Sequence, residues 1–235
     1  MTSLSACLRR RLAVWRGWRR PLTELPIVVV DLEPTGLDPR RDRIVELSLS
    51  VPGGPRIDSL VAPGIPLGPQ RVHGLTEADL RLAPAFRDLA GAVLSLAAGR
   101  LIVAHNAEFD VSFLRAELLR VGCPVPSAPF LCTVALPRLL GLDHASRRLA
   151  WACEHYSVPL TRPHEAAADA DAAAALFERY ARLAASTGLT LGDLSLRAPQ
   201  SACVRSWRRR PWEAPGPQPA AGAPCPRPPS RAAAA

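Results

Sequence analysis

The sequence predicts an α/β fold, a mixed five-stranded sheet flanked by helices, and three observations carry that expectation. Aliphatic runs of strand length recur at Ile27–Val30, Leu101–Ala104 and Phe130–Thr133, each too short for a helix and bounded by turn residues. Longer segments with apolar residues three and four apart, the helical spacing, lie before and after them. Two further strand-like segments flank the turn Pro52-Gly53-Gly54-Pro55. The sheet therefore begins as a hairpin meander and continues as strands alternating with helices.

Taken in order, the first strand starts after Pro26 and runs into the breaker Pro34/Gly36. Ile44–Val51 alternates well enough for a second strand and Arg56–Val61 for a third. Ala85–Ala98 places Phe86, Leu89, Val93, Leu94 and Leu96 at helical spacing and stops at Gly99, a common C-terminal residue. Leu101–Ala104 is the fourth strand. Ala107–Val121 is a helix with Phe109, Phe113, Leu114, Leu118 and Val121 inward, ended by Gly122. Phe130–Thr133 is the fifth strand, Arg147–Tyr156 a short helix, and Glu165–Ala185 the last long helix, with Leu191–Leu196 as a helix end. Ala166, Ala170, Ala173 and Ala174 give that long helix a small-residue stripe, which permits close approach to a sheet.

The chain divides into three segments. Residues 26–196 form the globular domain. Residues 1–25 carry six arginines against Glu24, with Leu4, Leu8, Leu12, Trp15, Trp18 and Leu22 three or four apart, so a basic amphipathic arm is expected. In residues 197–235 the composition turns to Pro, Ala, Arg and Gly, with seven arginines against Glu213. Too little apolar surface remains there to offset ordering entropy, and a disordered tail is expected. The net charge of +8 therefore sits in the arms, on top of a mildly acidic body. Basic arms suit nucleic acid or acidic partners, and equally a solvated tail.

No apolar run approaches the ~18 residues of a membrane span, so a soluble protein is expected. The six cysteines show neither a C-x-x-C pair nor regular spacing, which argues against a metal cluster or a disulfide framework. Reduced thiols and a cytoplasmic location are the expectation.

Chemistry concentrates in three places. Asp31 and Glu33 end the first strand and, being two apart, point to one face. Adjacent carboxylates repel, so a cation between them makes physical sense. Asp110 follows the fourth strand after His105 and Asn106, and His164 and Asp169 open the last long helix. Four oxygen donors of this kind suit Mg²⁺ or Mn²⁺. On an ideal helix five positions separate two side chains by about 140°. His164 can therefore meet Asp169 only from the loop after Pro163, ahead of the helix. From there an imidazole can take a proton from an attacking water.

Asp31, Glu33, Thr35 and Gly36 (DxExTG), His105, Asn106, Phe109 and Asp110 (HNxxFD), and His164, Ala166 and Asp169 (HxAxxD) together resemble the motifs of the DnaQ-like (DEDDh) 3'-5' exonucleases. That family includes the exonuclease domain of the DNA polymerase III epsilon subunit. The resemblance covers about Ile27–Ala185, with Val72-His73-Gly74-Leu75-Thr76 similar to the family's HGxT segment. It implies a ribonuclease H-like fold, two Mg²⁺ or Mn²⁺ ions on Asp31, Glu33, Asp110 and Asp169, and His164 as general base. In the resembling family Asp31 would bridge the ions. It also implies that Thr35, Gly36, Leu37, His105 and Asn106 contact a 3' end.

The activity implied is release of 5'-mononucleotides from DNA 3' ends in proofreading or repair, with single-stranded DNA as substrate and a polymerase subunit as a conceivable partner. RNA trimming, and a non-catalytic nucleic-acid adaptor on the same fold, stand as alternatives. Two positions depart from the pattern. Pro34 removes an N–H where threonine is usual, and Cys132-Thr133 stands where relatives often carry Asp-Thr.

Overall fold

The computed structural model describes residues 19–68, 74–126, 128–142, 145–197 and 204–206. Strands β1 (Ile27–Pro34), β2 (Ile44–Ser50) and β3 (Arg56–Leu60) form an antiparallel meander. Helices α1 (Glu77–Leu80) and α2 (Phe86–Ala97) lead to β4 (Leu101–Ala104), then α3 (Ala107–Arg120) to β5 (Pro129–Cys132). Helices α4 (Leu136–Leu139), α5 (Leu149–His155), α6 (Ala166–Ser186) and α7 (Leu191–Arg197) follow, and β6 (Val204–Ser206) comes last. The sheet order is β3-β2-β1-β4-β5-β6, with β1, β4 and β5 mutually parallel.

The five expected strands are all present, and β6 is a sixth. It pairs antiparallel with β5, Phe130 opposite Arg205, so a short strand occupies part of the segment expected to be disordered. At the other end, Leu22–Glu24 forms a 3-10 turn, and Leu22 and Leu25 are buried against α6. The folded body thus begins before Pro26. The amphipathic helix expected ahead of it, and Val72 and His73 of the HGxT segment, lie outside the described residues.

Strand β1 is central because its pleat feeds two cores. Val28, Val30 and Leu32 face α2 and α3, packing with Phe86, Phe113 and Leu114, while Ile27 and Val29 face α5 and α6, packing with Leu176, Phe177 and Tyr180. Burying such side chains completely is worth roughly 1.5 to 3 kcal/mol each, which fixes the strand's register. The alanine stripe of α6 does what small residues permit: Ala166, Ala170 and Ala173 are completely buried, bringing the helix close to β1 and β2. Cys132 and Cys153 are free and buried, whereas Cys123 is disulfide-bonded, which departs from the expectation of reduced thiols throughout.

Candidate active site

Beyond Val29, the last β1 residue paired with β4, the strand continues past its parallel neighbour toward the C-terminal end of the sheet. There the face that buries Ile27 and Val29 next presents Asp31 and Glu33, because the side-chain period of a strand is two. Helix α6 covers this face, and its first turn carries Asp169. Helix α3 packs on the opposite face, and Asp110, in its first turn, reaches the site at the strand end. The buried Asp110 carboxylate lies close enough to Asp31 for its charge to oppose that residue's ionisation, which places it at the same acidic end of β1.

These carboxyls crowd one another. Burial raises Asp31 well above the usual carboxylate range, and the charges of Asp110, Asp169 and Glu33 push it further. Burial, then Asp169 and Glu46, bring Glu33 up to about 7. Burial raises Asp110 and Asp169 too. Asp110 Oδ2 and Asp169 Oδ1 are buried with no hydrogen-bond partner among the described residues. An orphaned buried carboxylate oxygen is costly, and two of them beside Asp31 and Glu33 make a hard-oxygen donor set that fits a divalent cation.

His164 lies outside α6, in a turn at φ 67, and is exposed. Its N–H donates to Asp169 Oδ2 at 3.2 Å. The ring nitrogen and carboxylate oxygens of His164, Glu33 and Asp169 come within 4.8 Å of one another. The left-handed turn overcomes the 140° separation that a regular helix would impose.

The loop after β1 is built around Asp42. Thr35 Oγ1 donates to Asp42 Oδ1 at 3.2 Å and accepts from the N–H of Arg43 at 3.1 Å, and the N–H of Asp38 donates to Asp42 Oδ2 at 2.8 Å. A Cβ on Gly36 would lie 2.5 Å from Asp42 Oδ2, so a side chain there would push Asp42 out of these hydrogen bonds. Thr35 is buried, its hydroxyl engaged and its N–H bonded to the Arg43 carbonyl at 2.8 Å. Its part at the site is therefore to hold the turn. Leu37, by contrast, is 84% exposed. The loop is anchored to α3 by an ion-pair network. Arg43 grips Glu117 through two hydrogen bonds of 2.7 and 3.0 Å, and Arg120 bonds Glu117 at 3.0 Å and the Pro39 carbonyl at 2.6 Å.

His105 and Asn106, expected at the substrate, differ in their settings. The His105 ring bridges Thr133 Oγ1 at 2.9 Å and the Arg147 carbonyl at 3.0 Å, an engagement that joins β5 to the segment before α5. Asn106 is exposed in the left-handed conformation, φ 67 and ψ 43, at the N-cap of α3, where asparagine is tolerated better than most residues.

Glu46 was not foreseen. It lies directly opposite Glu33 across the β1–β2 pair, on the acidic face, and its charge helps to raise Glu33. The only trace of this in the sequence is a lone acid in an apolar strand, and the pairing register that gives it meaning is a tertiary property.

Residues 28–177 match the RNase_T exonuclease family. The chain is 36% identical over 186 residues to a DNA polymerase III subunit epsilon-like protein of Rhodobacter capsulatus, covering 72% of this chain and 26% of that protein. It is 33% identical over 183 residues to the PolC-type DNA polymerase III of Bacillus subtilis, covering 74% and 13%. The chain thus matches about a quarter or less of the length of these relatives. In architecture it is similar to exonuclease X in complex with 5' overhanging duplex DNA, with a TM-score of 0.52 and 22% identity over 73% of this chain and 98% of that one. It is also similar to E. coli exonuclease I in complex with a dT13 oligonucleotide, with a TM-score of 0.62 and 16% identity over 70% and 42%. These structural likenesses establish the expected ribonuclease H-like fold.

Proposed function

Because the chain belongs to the RNase_T exonuclease family, we propose that it is a metal-dependent 3'-5' exonuclease that releases 5'-mononucleotides from DNA 3' ends. One observation carries the reading: four carboxylates converge at the end of β1, two with buried, unpartnered oxygens, while an exposed histidine is held against them.

Asp31, Glu33, Asp110 and Asp169 would hold two Mg²⁺ or Mn²⁺ ions, which supply an activated water and stabilise the leaving oxygen. The protein's own groups do the rest. His164, within 4.8 Å of the Glu33 and Asp169 oxygens and open to solvent, takes the proton of the attacking water. Asp169, pinned to the His164 N–H, keeps its free oxygen in place without rotating to find it. Gly36 and Leu37 face the terminal nucleotide, the exposed leucine lying against its base, and Asn106 offers its carboxamide from the start of α3.

DNA is favoured as substrate because the relatives are DNA polymerase III proteins and the similar exonucleases I and X were solved with DNA. Proofreading or repair beside a polymerase, in the cytoplasm, is the setting this suggests. Among the described residues no helix is long and apolar enough to cross a membrane. Digestion of end-labelled single-stranded DNA and RNA in parallel, with Mg²⁺, Mn²⁺ or EDTA, tests the reading. Mononucleotide release from DNA in either metal is expected. Preference for RNA would reassign the substrate, and absence of turnover in both metals would leave a binding module.

A further inference from the structure

The end of the sheet that gathers the acids also presents arginines. His105 follows β4 directly and Thr133 follows β5 directly. Both strands run parallel to β1, so the two residues stand at the end of the sheet where Asp31 and Glu33 lie. The His105 ring meets Thr133 Oγ1 at 2.9 Å and the Arg147 carbonyl at 3.0 Å. A carbonyl only accepts, so His105 Nε2 carries a proton and donates it. The ring thereby ties the segment ahead of α5 over the ends of β4 and β5, with Arg147 and Arg148 consecutive and exposed on it. Elsewhere on the body Arg41, Arg43, Arg56, Arg120, Arg162 and Arg182 each meet an acid. The Arg147 and Arg148 side chains make no ion pair among the described residues, and Asp143 is the one acid in the sequence from Thr133 to Cys153.

We propose that Arg147 and Arg148 contact phosphates of a single DNA strand on the 5' side of its terminal nucleotide, and that His105 is a positioning residue that holds them there. With a 3' end at the carboxylates, the rest of the strand must leave across one flank of the site. On the β2–β3 flank it would meet Glu46, Asp58 and Asp171, and Arg56 there is already bonded to the last two. On the other flank β4 and β5 lie roughly 5 and 10 Å from β1, which brings the segment of Arg147 and Arg148 to the first phosphates upstream of the scissile one. Guanidinium groups suit phosphate oxygens, which they can grip with two parallel hydrogen bonds. The inference rests on the exonuclease reading for the course of the strand, and its test is a binding measurement that needs no turnover.

The test measures the Kd of the full-length protein for a labelled oligothymidylate by fluorescence anisotropy over a salt series, in EDTA so that the strand stays intact. Each phosphate neutralised on a single strand contributes about −0.7 to the slope of log affinity against log salt. Arg147→Ala/Arg148→Ala should therefore flatten the slope by about 1.4, which is about sevenfold less affinity lost between roughly 50 and 200 mM salt. His105→Ala removes neither arginine, yet it should flatten the slope by about 0.7 or more at pH 8, because the segment is no longer held in register with the strand. His105→Gln, whose amide can donate to the Arg147 carbonyl, should return the wild-type slope. Arg179→Ala/Arg182→Ala removes the same charge from exposed positions on α6, about 15 Å or more along the helix from Asp169, and should leave the slope within about 0.3 of wild type. An unchanged slope without Arg147 and Arg148, an equal flattening without Arg179 and Arg182, a wild-type slope in His105→Ala, or a His105→Gln slope as flat as that of the Arg147→Ala/Arg148→Ala protein would each overturn the proposal. Should His105→Ala fail to fold, the two arginine pairs and His105→Gln still decide it. Release of mononucleotides by the wild-type protein in Mn²⁺ is scored separately. Release together with an unchanged slope in Arg147→Ala/Arg148→Ala keeps the exonuclease and refutes the phosphate contacts. The expected slopes without release keep the contacts and refute the exonuclease, and a wild-type protein that binds no single strand refutes the contacts.

Discussion

The backbone N–H of His164 donates to Asp169 Oδ2 at 3.2 Å, from a residue held at φ 67 immediately before α6. This contact turns the chain so that a side chain which a continuous helix would aim elsewhere shares a pocket with Glu33 and Asp169. It also spends one lone pair of Asp169 on the protein and leaves Oδ1, buried and unpartnered, for a cation. The histidine's exposure and the aspartate's burial are thus two sides of one turn.

Replacing the imidazole should cost turnover and spare the metals. His164→Asn is the cleaner variant, since asparagine populates the left-handed region readily, and the N–H to Asp169 is kept. A rate loss of ~10² to 10⁴ is expected, with Mn²⁺ affinity, read by electron paramagnetic resonance, within a few-fold of wild type. If the rate stays within about threefold, His164 is not the base.

Removing a carboxylate should act on both quantities. Asp31→Asn and Asp169→Asn are expected to weaken Mn²⁺ binding and to reduce mononucleotide release by three or more orders of magnitude, while EDTA abolishes release by the wild-type protein. Release in EDTA at the rate seen with Mg²⁺ would contradict the two-ion scheme.

The raised carboxyls have a consequence for stability that can be signed. Glu33 moves from 4.5 to about 7 in the fold, and Asp31, Asp110 and Asp169 move in the same direction. Without cations the native state therefore holds protons that the unfolded chain has released. The stability this confers is full below about 4.5 and is lost as pH rises through about 7. In EDTA the Tm should fall by several degrees between about pH 5 and pH 8. Saturating Mn²⁺ should remove the fall, because cations take the place of those protons. A metal-free Tm that rises over this range would show that the carboxyls are not crowded as described.

How much of this was legible in the sequence depends on the range of the forces involved. The central strands were visible because β1 and β4 are buried on both faces, which writes unbroken aliphatic runs. Asp31 and Glu33 were visible as a pair because their relation is a local period of two, and His164 because a helix could not deliver it. Helices α1 and α4 are single turns, too short to show periodicity. Strand β6 is three residues set in Arg- and Pro-rich sequence, defined by its partner β5 more than by its composition. Glu46, Asp42 and Glu117 gain their meaning from register and from contacts across as many as 74 positions, which no window of sequence contains. His105 and Thr35 were expected at a 3' end, and what the sequence did not show is that hydrogen bonds to Thr133 and Arg147, and to Asp42 and Arg43, occupy their side chains.

Glu117 is 1% exposed between Arg43 and Arg120. Glu117→Ala would leave two guanidinium groups facing each other without their anion. Loss of one member of a buried ion pair costs about 3 to 5 kcal/mol, so a destabilisation of that order is expected in urea unfolding. Because Arg43 also bonds Thr35 Oγ1, the loop carrying Gly36 and Leu37 loosens. The KM for a DNA 3' end should rise more than kcat falls. Unchanged stability would mean that the network is not closed in solution.

Capture of the strand and its hydrolysis are expected to be separable, since the basic charge lies mostly outside the folded body. Removing residues 1–18 and 207–235 takes away Arg9, Arg10, Arg11 and Arg16 at one end and five arginines against Glu213 at the other. It retains Leu22 and Leu25, whose burial against α6 makes a cut at residue 26 unsafe, and it retains β6. Each phosphate neutralised on a single strand contributes about −0.7 to the slope of log affinity against log salt. The chain of residues 19–206 should therefore bind single-stranded DNA more weakly with a shallower slope, while its single-turnover rate at saturating substrate stays within about threefold. Fluorescence anisotropy over a salt series, paired with rapid-quench kinetics, separates the two quantities. An unchanged slope would assign strand capture to arginines of the body instead, beginning with Arg40 and Arg41 on the loop that carries Gly36 and Leu37.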